Sequence, residues 1–127
     1  KSYGDLLDDA IKRASDHPIV SDAVARLDLI CGEARLIINR QPRPDVAYLD
    51  PMFPLKSSGA LVKGQMQVLQ RFIGLDHDGA DLLNAVLSTG VKRTILKRPP
   101  KGIQWQPPRA PDIVFSSRNT AFEVYLQ

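Results

Sequence analysis

The sequence predicts one α/β domain, spanning residues 1–127, with a mainly parallel sheet and an antiparallel end. Stretches with helical apolar spacing alternate with short apolar and β-branched runs, which is the pattern of parallel strands joined by helices. The last two runs flank Arg118-Asn119, a turn signal typical of a β-hairpin. A chain of 127 residues fits one domain, and neither an internal repeat nor a linker divides it.

The first part of the chain predicts three helical segments and one strand. Residues 5–14 have apolar positions at helical spacing, with acids first and bases last, as expected of an amphipathic helix. Residues 21–26 predict a short second helix that Ser21 could cap. The run RLDLICGEA predicts a short buried strand that ends at Gly32, and ARLIIN, residues 34–39, predicts one or two helical turns.

The remainder of the chain predicts four strands and two helices. DVAYL has the composition of a strand, and a proline-rich break follows it. The prolines of RPPKGIQWQPPRAP disfavour regular structure in that loop. The predicted strands are residues 45–49, 91–97, 112–117 and 120–127, and the predicted helices are residues 59–73 and 78–87.

The composition is close to the average of soluble globular proteins, with 43% hydrophobic and 24% charged residues, and it disfavours disordered and membrane classes. We therefore predict a cytoplasmic protein without a membrane-spanning segment. The net charge of +3 suits a polyanionic partner without requiring one. Cys31 lies in an apolar run and predicts a buried, inert thiol. With His17 and His77 it shows no metal-ligand spacing, so we predict no metal site.

The segment Asp50-Pro51-Met52-Phe53-Pro54 follows a predicted strand, at the edge of the sheet where α/β folds place their sites. It would suit methyl transfer to an exocyclic base amine, because an acceptor near the amine favours a nucleophilic geometry and stabilises developing positive charge. Proline fixes the direction of neighbouring carbonyls, and an aromatic ring can stack on an extruded base. An acid that opens a proline turn is also common for structural reasons alone.

The run DVAYLDPMFP resembles the Asp-Pro-Pro-Tyr/Phe motif of class I S-adenosylmethionine-dependent amino methyltransferases. Its Asp-Pro-Met-Phe-Pro form is similar to that of the ribosomal RNA small subunit methyltransferase J family, which methylates a guanine N2. The runs KSSGALVKGQMQVLQRFIG, LLNAVLSTGVKRTILKRP and FEVYL are similar to that family in order and spacing. The resemblance covers the chain from about Leu6 to its end.

The resemblance implies a Rossmann-like methyltransferase fold with S-adenosyl-L-methionine as its cofactor. RLDLICGEA, DVAYLD and VKRTILK would be its third, fourth and fifth strands, and the terminal hairpin would supply the sixth and seventh. The first two strands and their glycine-rich cofactor turn have no counterpart, because the eight glycines are scattered singly. We therefore expect that the chain corresponds to the C-terminal portion of the family, with the missing N-terminal half of the same polypeptide as a partner.

The resemblance also implies site residues. Asp50, Pro51 and Phe53 would form the amine pocket, and Asp50 would also contact the cofactor. Glu33 and Ala34 follow the third predicted strand, where such folds hold the adenine of the cofactor, although a solvated loop acid is an alternative for Glu33.

Basic residues near the strand ends are candidates for contacts with RNA phosphates. The first choices are Lys56, Lys97 and Arg98, and a solvated surface charge is the alternative for each. Trp105 could stack on RNA or could pin the proline-rich loop to the core, and we favour the second interpretation.

These features predict S-adenosylmethionine-dependent methyl transfer to the exocyclic N2 of a guanine in 16S, small-subunit rRNA, by the full-length protein. We expect this segment alone to be inactive. Two alternatives stay open: a non-catalytic RNA-binding or assembly module without the cofactor half, and an amino methyltransferase that acts on DNA or protein.

Overall fold

The computed structural model describes residues 2–53, 79–101, 103 and 105–127. The chain divides into two compact units, Lys1–Glu33 and Ala34–Gln127, at a point that no linker marks in the sequence. The single domain predicted over residues 1–127 stays a prediction. The helix predicted over residues 59–73 lies outside the described residues.

The first unit contains helices α1 (Tyr3–Ser15) and α2 (Ser21–Val24). A capping box begins α1, because the Asp5 backbone N–H donates to Ser2 Oγ and the Ser2 N–H donates to Asp5 Oδ2, at 3.2 and 2.8 Å. The amphipathic helix predicted there is confirmed. Ser21 is the first helical residue of α2 rather than its cap, and the cap position, Val20, makes no side-chain bond.

The strand predicted over RLDLICGEA does not form, and residues 27–33 have no regular structure. A strand needs a neighbour for its backbone N–H and C=O groups, and no described residue pairs with this run. Its apolar side chains are accordingly exposed, with Leu27 at 60% and Ile30 at 50%. Cys31 is also exposed, so the prediction of a buried thiol is wrong.

The second unit is built on a four-stranded mixed sheet with the order β1-β2-β4-β3 within the described residues. Its strands are β1 (Val46–Leu49), β2 (Arg93–Arg98), β3 (Ile113–Ser116) and β4 (Ala121–Leu126), and its helices are α3 (Ala34–Ile38) and α4 (Gly79–Ser88). β1 and β2 are parallel, whereas β4 is antiparallel to both of its neighbours. The predicted antiparallel terminal hairpin is therefore confirmed, but the prediction of a mainly parallel sheet does not hold within the described residues, because β1–β2 is the one parallel pair of three and the hairpin pairs antiparallel with β2.

The core of this unit lies between α4 and the sheet. Leu83, Val86 and Leu87 of α4 pack with buried residues of β1, β2 and β4, among them Leu96 and Tyr125. The α4 chain turns away at Gly90, whose positive φ of 75° suits glycine, and the Gly90 N–H donates to the Leu87 carbonyl at 3.1 Å. This packing leaves the carboxyl ends of β1 and β2 side by side at one edge of the sheet.

No helix in the described parts of the chain is both long and apolar enough to cross a membrane.

Candidate active site

Asp50 and Lys97 meet at the carboxyl edge of the sheet. β1 and β2 are in register with Leu49 opposite Leu96, so the next residue of each strand lies beside the other. Lys97 Nζ donates to Asp50 Oδ2 at 2.8 Å, and the Lys97 and Asp50 side chains are 39% and 51% exposed. This hydrogen bond and the negative charge of Asp50 raise the pKa of Lys97, which keeps it an ammonium. Asp50 Oδ1 has no hydrogen-bond partner among the described residues.

A cavity of about 310 Å³ opens at this edge. The predicted motif forms one part of its wall, the end of β2 forms another, and the β3–β4 turn contributes two residues that the sequence interpretation did not select. The lining residues are Asp50, Pro51, Met52, Phe53, Lys97, Arg98, Pro99, Asn119 and Thr120. The cavity thus combines an acceptor, cations, an aromatic ring and a polar turn, which suits a planar, polar ligand.

The hairpin turn is held by Ser117 and Thr120. The Ser117 N–H donates to the Thr120 carbonyl at 2.8 Å, and the Thr120 N–H donates to Ser117 Oγ at 3.1 Å. The predicted turn at Arg118-Asn119 is confirmed. In the sequence, Asn119 was visible only as part of a predicted turn. The sequence alone therefore could not show that Asn119 lines the same cavity as Asp50.

Phe53 packs against Trp105 in an edge-to-face contact, with ring centroids 5.1 Å apart and planes at 88°. Both rings are half-buried and border the core. Gly79 begins α4 against them, since a Cβ there would lie 3.5 Å from the Trp105 ring and 3.6 Å from both Phe53 and Pro51. Trp105 accordingly pins its loop to the core, as we expected from the sequence.

A buried carboxylate, Glu123, lies behind the cavity. Its side chain is 3% exposed and accepts three hydrogen bonds: from Arg98 Nε at 2.6 Å, from Trp105 Nε1 at 2.9 Å and from the Tyr125 hydroxyl at 2.6 Å. We did not select Glu123 from the sequence. The available signal was that it is the one charged residue in the apolar run AFEVYL, which favours a buried, partnered acid.

The other predicted site residues lie in different environments. Arg98 lines the cavity, but its guanidinium is bound to Glu123 and to the Pro99 carbonyl at 3.0 Å. Glu33 ends the first unit and Ala34 begins α3 of the second; both are exposed. Lys56 lies outside the described residues.

The buried hydroxyl of Tyr125 should make the free energy of unfolding of the second unit depend on pH. Burial and the hydrogen bond to Glu123 raise the pKa of its hydroxyl well above its ordinary value of 10.0. The unfolded state therefore loses this proton first. The stabilising contribution is complete below pH 10 and is lost as the pH rises further, with a slope of up to about 1.4 kcal/mol per pH unit. Urea titrations from about pH 9 to pH 11 should show this decline in the free energy of unfolding. In Tyr125→Phe the slope of that decline should be smaller, by up to about 1.4 kcal/mol per pH unit. An equal slope in both proteins would contradict the assignment.

The described residues fit one part of S-adenosylmethionine. The cofactor carries cationic and hydroxyl donors, and Asp50 Oδ1, which has no hydrogen-bond partner among the described residues, is a suitable acceptor in the cavity wall. A glycine-rich turn for the rest of the cofactor does not occur in the sequence. The described residues also contain no cluster of three or more acids, histidines or cysteines that could hold a metal ion.

The order and directions of the strands, together with an Asp-Pro-Met-Phe segment at the carboxyl edge, agree with the Rossmann-like methyltransferase fold that the resemblance implies. A family model described as putative SAM-dependent methyltransferase matches residues 3–127, and the chain belongs to this family. S-adenosylmethionine is accordingly the cofactor of the family.

Curated relatives named ribosomal RNA small subunit methyltransferase J match nearly the whole chain. The protein from Thioalkalivibrio sulfidiphilus is 36% identical over 124 residues, which are 95% of this chain and 48% of the relative. The protein from Neisseria meningitidis serogroup C (strain FAM18) is 37% identical over 95% of this chain and 50% of the relative. The chain thus spans about half the length of the curated relatives it matches, in agreement with the expected partial correspondence.

A crystal structure of a SAM-dependent methyltransferase from Neisseria gonorrhoeae has the same fold. It superposes with a TM-score of 0.67 at 32% identity, over 97% of this chain and 48% of that one. The Rossmann-like fold predicted from the resemblance is therefore confirmed.

Proposed function

We propose that this chain is the base-handling part of a methyltransferase that modifies the exocyclic N2 of a guanine in small-subunit rRNA. The observation that supports this most is the cavity in which Asp50, oriented by Lys97, and Phe53 lie together at the carboxyl edge of the sheet. The names of the curated relatives support rRNA as the substrate. A cytoplasmic location is part of the same proposal.

In the proposed reaction, S-adenosylmethionine supplies an electrophilic methyl group. The guanine N2 would form a bond to this methyl group as the S–C bond breaks; the electron pair of that bond would stay on sulfur, leaving a neutral thioether, and the amine proton would pass to solvent water at the half-exposed Asp50. Asp50 Oδ1 accepts a hydrogen bond from the amine, which offsets its developing positive charge, while Lys97 holds Oδ2. The carbonyl of Pro51 supplies a second acceptor of fixed direction.

Phe53 is proposed to stack on the guanine, and Lys97 and Arg98 to contact nearby phosphates. Both cations are paired with a carboxylate, but the Lys97 side chain is 39% exposed and that of Arg98 is 18% exposed, so Lys97 is the stronger candidate for a phosphate contact. The guanine has to be unpaired or extruded from its helix, because N2 is not accessible to the cavity in a packed duplex. Glu33 and Ala34 are proposed to contact the adenine of the cofactor, and Lys56 to contact RNA.

The direct test is to incubate the complete gene product that contains these residues with small-subunit rRNA and S-adenosylmethionine labelled in its methyl group. Digestion of the RNA to nucleosides should give labelled N2-methylguanosine. Label in another nucleoside would reject guanine N2. RNA binding without cofactor binding in calorimetric titrations, and without label, would favour a non-catalytic RNA-binding module instead.

A further inference from the structure

Trp105 lies outside the cavity wall but contacts it through Phe53. Its ring edge meets the Phe53 ring nearly perpendicularly, at a centroid distance of 5.1 Å. Perpendicular packing against a fixed partner restricts the rotation of a phenyl ring about its side-chain bonds, so the orientation of Phe53 depends on that of Trp105.

Trp105 is itself held from two sides. Its indole N–H donates to Glu123 Oε2 at 2.9 Å, and Glu123 is fixed in turn by Arg98 and Tyr125. On the other side, Gly79 at the start of α4 lies against both rings, and a Cβ there would be in ordinary van der Waals contact with them, at 3.5 and 3.6 Å. The buried acid therefore determines the position of the indole, and the indole determines that of the phenyl ring.

From this geometry we propose that Trp105 is a positioning residue that presents the Phe53 ring to the substrate base. This inference rests on the proposed function, because it assumes that a guanine stacks on Phe53. An aromatic ring that is held in the stacking orientation contributes to the binding of an extruded base by stacking on it. A freely rotating ring contributes less, because its orientation has to be fixed when the base binds.

The test uses steady-state kinetics of methyl transfer by the complete gene product. Trp105→Leu should raise the KM for RNA by about tenfold and leave kcat within about threefold, because stacking serves binding more than the chemical step. Trp105→Phe, which keeps an aromatic edge, should give an intermediate KM.

Tyr125→Phe is the comparison variant. It removes one of the three hydrogen bonds that Glu123 accepts but keeps the Trp105 indole bond and the Trp105–Phe53 ring contact, so it should destabilise the protein and raise KM less than Trp105→Leu does. In a Phe53→Leu background, Trp105→Leu should have no further effect on KM, because its effect passes through Phe53.

Three results would overturn the inference: an unchanged KM in both Trp105 variants, an equal rise of KM in Tyr125→Phe, or a Trp105 effect that persists without Phe53. If Trp105→Leu does not fold, Trp105→Phe and its combination with Phe53→Leu provide the same comparison. Failure of the unsubstituted protein to methylate guanine would instead reject the proposed function, and this inference with it.

Discussion

Replacing Asp50 with alanine is expected to lower the kcat of methyl transfer by roughly 10²–10³-fold while the fold is kept. In the reaction that we propose for the complete gene product, Asp50 supplies the acceptor for the amine, and no other carboxylate lines the cavity within the described residues. Its side chain is half-exposed and outside the core cluster, so its removal leaves the packing of β1 intact. Single-turnover rates with saturating RNA and cofactor measure the effect, and circular dichroism checks the fold.

Asp45→Ala is a matched control for this variant. Asp45 is an exposed acid that precedes β1, at the opposite end of the same strand, and it does not line the cavity. The control changes the net charge by the same amount and should retain the rate of the unsubstituted protein. An Asp50→Ala protein that is folded and as fast as Asp45→Ala would exclude Asp50 from the reaction.

Much of this site could be predicted because it follows directly from local sequence. DVAYL is strand-forming, the prolines after Asp50 end the strand, and the carboxyl ends of parallel strands meet at one edge. Asp50 and Lys97 are 47 residues apart in sequence, yet each was predicted to lie near the end of a strand. What the sequence could not supply was their direct ion pair, because the exact register of β1 against β2 depends on packing.

The errors arose where structure depends on distant partners. RLDLICGEA has the composition of a strand, but composition cannot create the neighbour that its backbone groups need. Glu123 shows the converse: an acid in an apolar strand looks unfavourable until Arg98, Trp105 and Tyr125 are known to surround it. These partners come from three positions along the chain, and only the folded sheet brings them to one carboxylate.

The same arrangement leads to the largest expected change in stability. Glu123→Ala should lower the free energy of unfolding by about 3–5 kcal/mol, because it leaves the Arg98 guanidinium, 18% exposed, without its carboxylate and leaves the buried Tyr125 hydroxyl without an acceptor. Glu123→Gln keeps the side-chain shape and one carbonyl acceptor, so its loss should be smaller, about 1–3 kcal/mol. Urea denaturation followed by circular dichroism measures both values.

Asp81→Ala is the control for Glu123→Ala. It shows how much stability is lost when the carboxylate that is removed from an ion pair is exposed rather than buried. Asp81 lies 3.8 Å from Arg35 in the same unit, but its side chain is 70% exposed, so the variant should lose about 1 kcal/mol or less. The double variant Glu123→Leu with Arg98→Met should be less destabilising than Glu123→Ala alone. In the double variant no guanidinium is left half-buried without its carboxylate. If Glu123→Ala cost no more than Asp81→Ala, the carboxylate would not be the structural anchor of Trp105 and the end of β2.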